Sequence, residues 1–115
     1  MRWIGSSRKD IRDMPEEVQA SLGFALTVAQ HGGKAKNAEP MHGFGGANVL
    51  EIRDDEEGCT YRLVYTVRFP NYIFALHAWK KKSHRGIETD KSDIELIQSR
   101  LSLANDDYVK LQAEQ

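Results

Sequence analysis

Cysteine is nearly absent from this sequence of 115 residues: Cys59 stands alone. It can form neither an internal disulfide nor a zinc site by itself, so a reducing compartment suits the chain and a small strand residue is its simplest role. Long hydrophobic runs are missing as well. No stretch approaches the ~18 apolar residues of a membrane span, and Met1 to Asp13 is charged where a signal peptide needs an apolar centre. The expectation is a cytoplasmic protein with no membrane partner. Proline is scarce, at three residues, and no repeat or low-complexity tract occurs. Hydrophobic residues at 40% and charged residues at 29% sit near globular averages, which excludes a disordered chain, a collagen-like repeat and a disulfide scaffold. One domain over residues 1–115 is expected.

The net charge of −1 conceals a sharp division along the chain. Residues 1–59 hold seven Lys or Arg against ten Asp or Glu, and residues 87–115 hold three against seven. Between them, residues 60–86 hold Arg62, Arg68, Lys80, Lys81, Lys82 and Arg85 with no acid at all, a net +6. A basic stretch between acidic flanks suggests a localised face for a polyanion. A solvated basic loop is the plainer alternative. The interleaved His77, Trp79 and His84 favour an RNA surface, where aromatic and basic side chains are mixed.

Periodicity divides the chain into helix, sheet and helix. A short serine-capped helix around Ile11 and Met14 precedes Pro15, which sits at the start of a second helix with Glu16 and Glu17 in its first turn. Val18, Leu22, Ala25 and Ala29, with Leu26 beside them, form one apolar face that ends at Gly32 and Gly33. Residues 34–46 read as a loop, and from Ala47 the period becomes two. Asn48 to Arg53, Thr60 to Arg68 and Tyr72 to Trp79 form an antiparallel meander, turned first by Asp54 to Gly58 and then by Pro70 and Asn71. Thr89 can cap a last helix carrying Ile94, Ile97, Leu101 and Ala104, followed by a tail from about residue 105. The fold class is α+β: two N-terminal helices packed on an antiparallel meander of three or four strands, with a C-terminal helix, and helices on one face only.

Alternation then sorts the strand residues. Leu50, Ile52, Tyr61, Leu63, Tyr65, Val67, Tyr72, Phe74, Leu76 and Ala78 are assigned to the helix-covered side. Arg53, Arg62, His77, Trp79 and Lys81 are left to converge on an uncovered surface. Such a surface has the parts for RNA cleavage without metal: attack by a ribose 2′-hydroxyl needs a base, cations for the phosphorane charge and a donor for the leaving oxygen. Metal-dependent hydrolysis fits less well, because the four histidines are scattered with no carboxylate cluster at ligand spacing. No cofactor is implied. His31 and His42 read as a helix-end and a loop residue, and partly buried structural roles compete for His77.

The runs Leu50-Glu51-Ile52-Arg53, Gly58 with Tyr61-Arg62-Leu63-Val64-Tyr65, Leu76-His77-Ala78-Trp79-Lys80-Lys81-Lys82-Ser83, Gly86-Ile87-Glu88-Thr89, and Ile94 to Leu101 resemble, in order and spacing, the HigB branch of the RelE-type toxins. The likeness is to its phage-derived members and spans residue 3 to about 104. It implies a small microbial-RNase-like domain, the toxin of a type II toxin–antitoxin system, that enters the ribosomal A site and cuts translated mRNA. A HigA-like helix-turn-helix antitoxin would restrain it and set the oligomeric state through the complex. The resemblance carries Arg53, Arg62, Lys81 and Lys82, with His77, as catalytic candidates, and His84 as a further one. Arg68, Trp79, Lys80, His84 and Arg85 are the RNA-binding candidates. Two departures stand out: Thr89-Asp90 replaces the usual Thr-Pro pair, and Trp79-Lys80 replaces phenylalanine followed by glutamine. A non-catalytic RNA- or ribosome-binding module and a protein-interaction subunit are the competing functions.

Overall fold

The computed structural model describes residues 1–44, 46, 48–82 and 89–114, with the backbone alone at Lys82. The stripe Val18, Leu22, Ala25, Leu26 and Ala29 forms the buried face of α2 (Glu16–Gln30). Pro15 stands just ahead of it in extended geometry, and the chain leaves its C-terminal end through Gly32 at φ +87°. The shorter α1 (Ser7–Arg12) adds Ile11, and Met14 follows it into the same core. Ser6 occupies the position expected of a cap, but its hydroxyl donates to Asp10 at 2.7 Å instead of receiving a backbone amide.

Five strands form one sheet, β1 (Arg2–Trp3), β2 (Ala38–Pro40), β3 (Val49–Glu56), β4 (Cys59–Thr66) and β5 (Phe74–Lys82), in the order β1-β5-β4-β3-β2. The meander β3-β4-β5 is antiparallel, β2 adds antiparallel to β3, and β1 pairs parallel with β5. Two strands therefore exceed the sequence expectation, β1 beside Gly5 and β2 inside the segment read as loop. Two or three residues show no period to detect. The first hairpin is also tighter than expected. Glu56 pairs with Cys59, and Glu57 and Gly58, at φ +48° and +78°, make a two-residue turn of the kind that matches strand twist.

One sheet edge is blocked and the other is covered in part. On β2 the Lys34 ammonium donates to the Ala38 carbonyl at 2.7 Å, the Ala38 amide donates to Ala35 at 3.1 Å, and Pro40 has no amide hydrogen. On the other side β1 covers the first part of β5, and α1 packs against that strand.

The expectation of one bare sheet face does not hold. Helices α1 and α2 pack over Leu50, Ile52, Leu63, Tyr65, Ala75 and Ala78. The opposite face, formed by Val49, Val64, Phe74 and Leu76, is covered by α3 (Lys91–Ala113) through Ile94, Ile97, Leu101, Ala104, Tyr108 and Leu111. Those helix positions alternate at three and four residues, so the apolar stripe runs through the segment read as a tail as far as Leu111, and the helix to Ala113. Arg2 pins the far end of the helix, donating two bonds to Asp107 at 3.0 and 3.1 Å. The pairing also corrects the strand parity. Val64 faces His77 while Tyr65 faces Ala75, leaving Leu76 as an extra residue. That bulge sends Phe74 and Leu76 to the same side as His77, and moves Ala75 to the α2 side.

Candidate functional site

The register brings the expected cations together on the α3 face. Arg53 lies opposite Arg62, Arg62 opposite Trp79, and Lys81 opposite Thr60. Their surroundings differ from expectation, because each is matched with an acceptor of the same chain. Arg62 is 1% exposed and Glu51 4% exposed. The Arg62 Nη1 stands 3.5 Å from Glu51 Oε2 and donates to Thr89 Oγ1 at 3.4 Å, while the Thr89 hydroxyl donates to Glu51 Oε2 at 3.3 Å. The other Glu51 oxygen accepts a short bond from Arg53 Nε. Two arginines thus share one buried carboxylate, which satisfies the rule that a buried charge must be paired. Thr89, expected as a helix cap, serves this network, and the cap position of α3 belongs to Asp90.

Arg53 is the accessible member, with 40% of its side chain exposed. It lies on the wall of a cleft of about 440 Å³ that Glu39, Met41, His42, Glu51, Thr89 and Ile94 also border. His77 is buried and bonded from both ring nitrogens. Its Nε2 lies 2.8 Å from Asp93 Oδ1, and Nδ1 lies 3.5 Å from Arg100 Nη1. Arginine can only donate, which assigns the imidazole proton to Nε2 and makes Asp93 its acceptor. Trp79 stacks on the imidazole with ring centres 4.4 Å apart and planes 11° from parallel. Its indole N–H finds no partner among the described residues. Arg100 also donates to the Leu76 carbonyl at 2.9 Å and to Ser6 at 3.1 Å, fixing the bulge from the helix side.

Lys81 Nζ lies 3.5 Å from Asp90 Oδ1, and its side chain is 10% exposed. Arg53, Arg62, His77, Trp79 and Lys81 are therefore brought together, while Lys80 and Arg68 are not. Lys80 pairs with Tyr61 and borders a groove with Asp10 and Asp13 beside α1, on the other side of the sheet. Arg68 lies beyond the opposite end of β4 and donates to the Phe44 carbonyl at 3.3 Å. His84 and Arg85 fall outside the described residues, as does the side chain of Lys82. Sequence reasoning missed the carboxylates Glu51, Asp90 and Asp93 and the guanidinium Arg100. The unbroken apolar run Leu63-Val64-Tyr65 was the available signal, since a strand buried on both faces must have its intervening charges paired. Among the described residues, no group of three or more His, Cys, Asp or Glu is placed to hold a metal ion. No helix among them is long and apolar enough to cross a membrane.

Two N-terminal helices, a mostly antiparallel five-stranded sheet and a C-terminal helix define a domain of the RelE-like class. The family described as phage derived protein Gp49-like (DUF891) matches residues 9–102. The chain belongs to that family, which is a HigB/RelE-like toxin family. No curated protein and no solved structure matches it at a significant level.

Proposed function

We propose that this chain is the toxin of a type II toxin–antitoxin pair, an endoribonuclease that cuts translated mRNA in the ribosomal A site. The observation that carries the reading is the convergence of Arg53, Arg62, His77, Trp79 and Lys81 from three adjacent strands onto one face, in a chain of a toxin family. The chemistry is attack of a ribose 2′-hydroxyl on the adjacent phosphate, without a metal. Arg53, anchored at Nε by Glu51, keeps its two terminal nitrogens for a pair of phosphate oxygens. Lys81 stabilises the phosphorane charge, and Lys82 follows it in sequence as a second cation. Of the two lysines, one takes the 2′-hydroxyl proton as the neutral amine and the other protonates the leaving 5′-oxygen, which leaves a 2′,3′-cyclic phosphate and a 5′-hydroxyl end. Arg62 acts from beneath by fixing Glu51 and Thr89. His77 joins the proton transfer only after releasing Asp93 or Arg100. A HigA-like antitoxin neutralises the toxin in the cytoplasm, so co-expression restores growth.

The test is translation on programmed ribosomes with mapped mRNA ends. Wild-type protein cuts. Arg53→Ala and Lys81→Ala lower turnover by about 10²-fold, the usual loss for one donor to a charged transition state, and retain ribosome binding. Arg68→Ala leaves cutting unchanged. Near wild-type cleavage by both of the first two variants overturns the site. Ribosome binding by the wild type with no cleavage selects the non-catalytic module.

A further inference from the structure

Asp90 occupies the N-cap position of α3, where an aspartate usually accepts hydrogen bonds from the amides of the first turn, yet its carboxylate makes no such bond. It turns to β5 instead, with Oδ1 3.5 Å from the Lys81 ammonium. The partners of this pair are unequal: Lys81 is nearly enclosed, while 67% of the Asp90 side chain is exposed. The other carboxylates of the face are held more firmly. Glu51 is buried between two arginines, and Asp93 accepts a 2.8 Å bond from His77. Among the described carboxylates of the face, Asp90 is the one that is largely solvated, so its own charge can return to water once a phosphate takes its place beside Lys81. The first-turn amides of α3 give it somewhere to go, because a helix N-terminus leaves its first N–H groups without intrahelical partners.

We propose that Asp90 is the displaceable counter-ion of Lys81. It occupies the ammonium in the free protein, yields it to a substrate phosphate, and turns back to cap α3. This residue role rests on the reading of the face as an RNA site. The exchange swaps one carboxylate for one phosphodiester, so the positive charge of Lys81 is matched before and after binding. Substrate affinity is accordingly set below what the cation alone would give, and Asp90 sets it.

Binding of a fluorescently labelled short 2′-O-methyl RNA, which lacks the attacking hydroxyl, is measured by anisotropy at physiological salt. Asp90→Asn keeps a good capping side chain but removes the competing charge, and binds about two- to fivefold tighter, the range expected for release of one ion pair whose carboxylate is solvated. Asp106→Asn makes the same charge change on an exposed position of α3. It stands about 24 Å along the helix from Asp90, beyond the ~8 Å screening length, and leaves affinity unchanged. In a Lys81→Ala background, Asp90→Asn gives no gain. RNA added to the wild type shifts the amide resonances of Ser92 and Asp93 as the cap forms. A gain no larger than that of Asp106→Asn, or one that persists without Lys81, overturns the counter-ion role. If the wild type binds and cuts while Asp90→Asn gains nothing, that role alone fails. If neither protein binds the RNA, the proposed function fails with it.

Discussion

Replacing Glu51 by alanine tests the charge network at its centre. The carboxylate is 4% exposed and faces the fully buried Arg62 guanidinium at 3.5 Å, so its removal leaves a positive charge without its facing carboxylate where water does not reach. Breaking one side of a buried pair typically costs about 3–5 kcal/mol. The lost bond to Arg53 adds little, because that arm is partly solvated, and the lost Thr89 bond is worth roughly 1 kcal/mol at most. A domain of this length has a total stability of roughly 6–17 kcal/mol. The variant should therefore lose between about a fifth and four fifths of its stability, which at about 4 °C per kcal/mol lowers Tm by about 12–20 °C. Urea unfolding at neutral pH, with the m-value checked for constancy, measures the change. The double variant Glu51→Leu/Arg62→Met removes both charges and should recover most of the loss, since apolar replacements of buried pairs are often neutral or better. Glu51→Ala costing under about 1 kcal/mol would mean the pair behaves as a solvated one. A double variant weaker than either single would refute the reasoning in the other direction.

Two further outcomes are expected. Glu56 has its pKa raised first by repulsion from Glu17, with Asp54 and Glu57 adding to it. The folded protein therefore holds this proton more tightly than the unfolded chain, and stability falls as pH rises through the carboxylate range. Glu56→Gln should raise Tm at pH 7, with the gain disappearing in acid once the wild-type carboxyl is protonated. Differential scanning calorimetry from pH 3.5 to 7 checks it. Gly5 has φ +57°, and an added Cβ would stand 2.7 Å from Arg100 Nε, a guanidinium held by Leu76 and Ser6. Gly5→Ala should cost about 1–3 kcal/mol in denaturant unfolding, whereas Gly23→Ala, with open space around it in α2, should stabilise slightly.

The elements legible from residues were those long enough to repeat. Val18 to Ala29 announces α2 through five apolar positions on one stripe, and Leu50 with Ile52 shows which side of β3 meets it. The strand β5 misled because parity reasoning assumes an unbroken count, and the extra Leu76 breaks it. His77, Trp79 and Lys81 still reach the expected face, since all three lie beyond the bulge. The cover over that face was obscured for a compositional reason. α3 also carries apolar residues off its stripe, Leu96, Leu103 and Val109, which lie exposed, and beyond Ala104 the stripe continues through Tyr108 and Leu111 among polar neighbours. Arg53 and Arg62 were recognisable by charge, but the carboxylate they share was not. Glu51 lies two residues from Arg53 in sequence, and only the strand register sets it against Arg62.

The blocked edge of the sheet and the partly covered one limit how any other protein can take hold of this one. An exposed strand recruits partners through its backbone, with little regard for their side chains, and invites copies of itself to do the same. Here one margin is sealed by a lysine, an internal turn and a proline, and the other is covered in part by a two-residue strand and a short helix. Lys80, beside the groove next to α1, adds a charge along the remaining stretch of that margin. A binding partner must therefore be chosen by side chains, on the outer surfaces of the helices or at the cleft beside Arg53. Recognition of that kind is selective, and an accumulating excess of the protein would stay dispersed rather than stack strand upon strand.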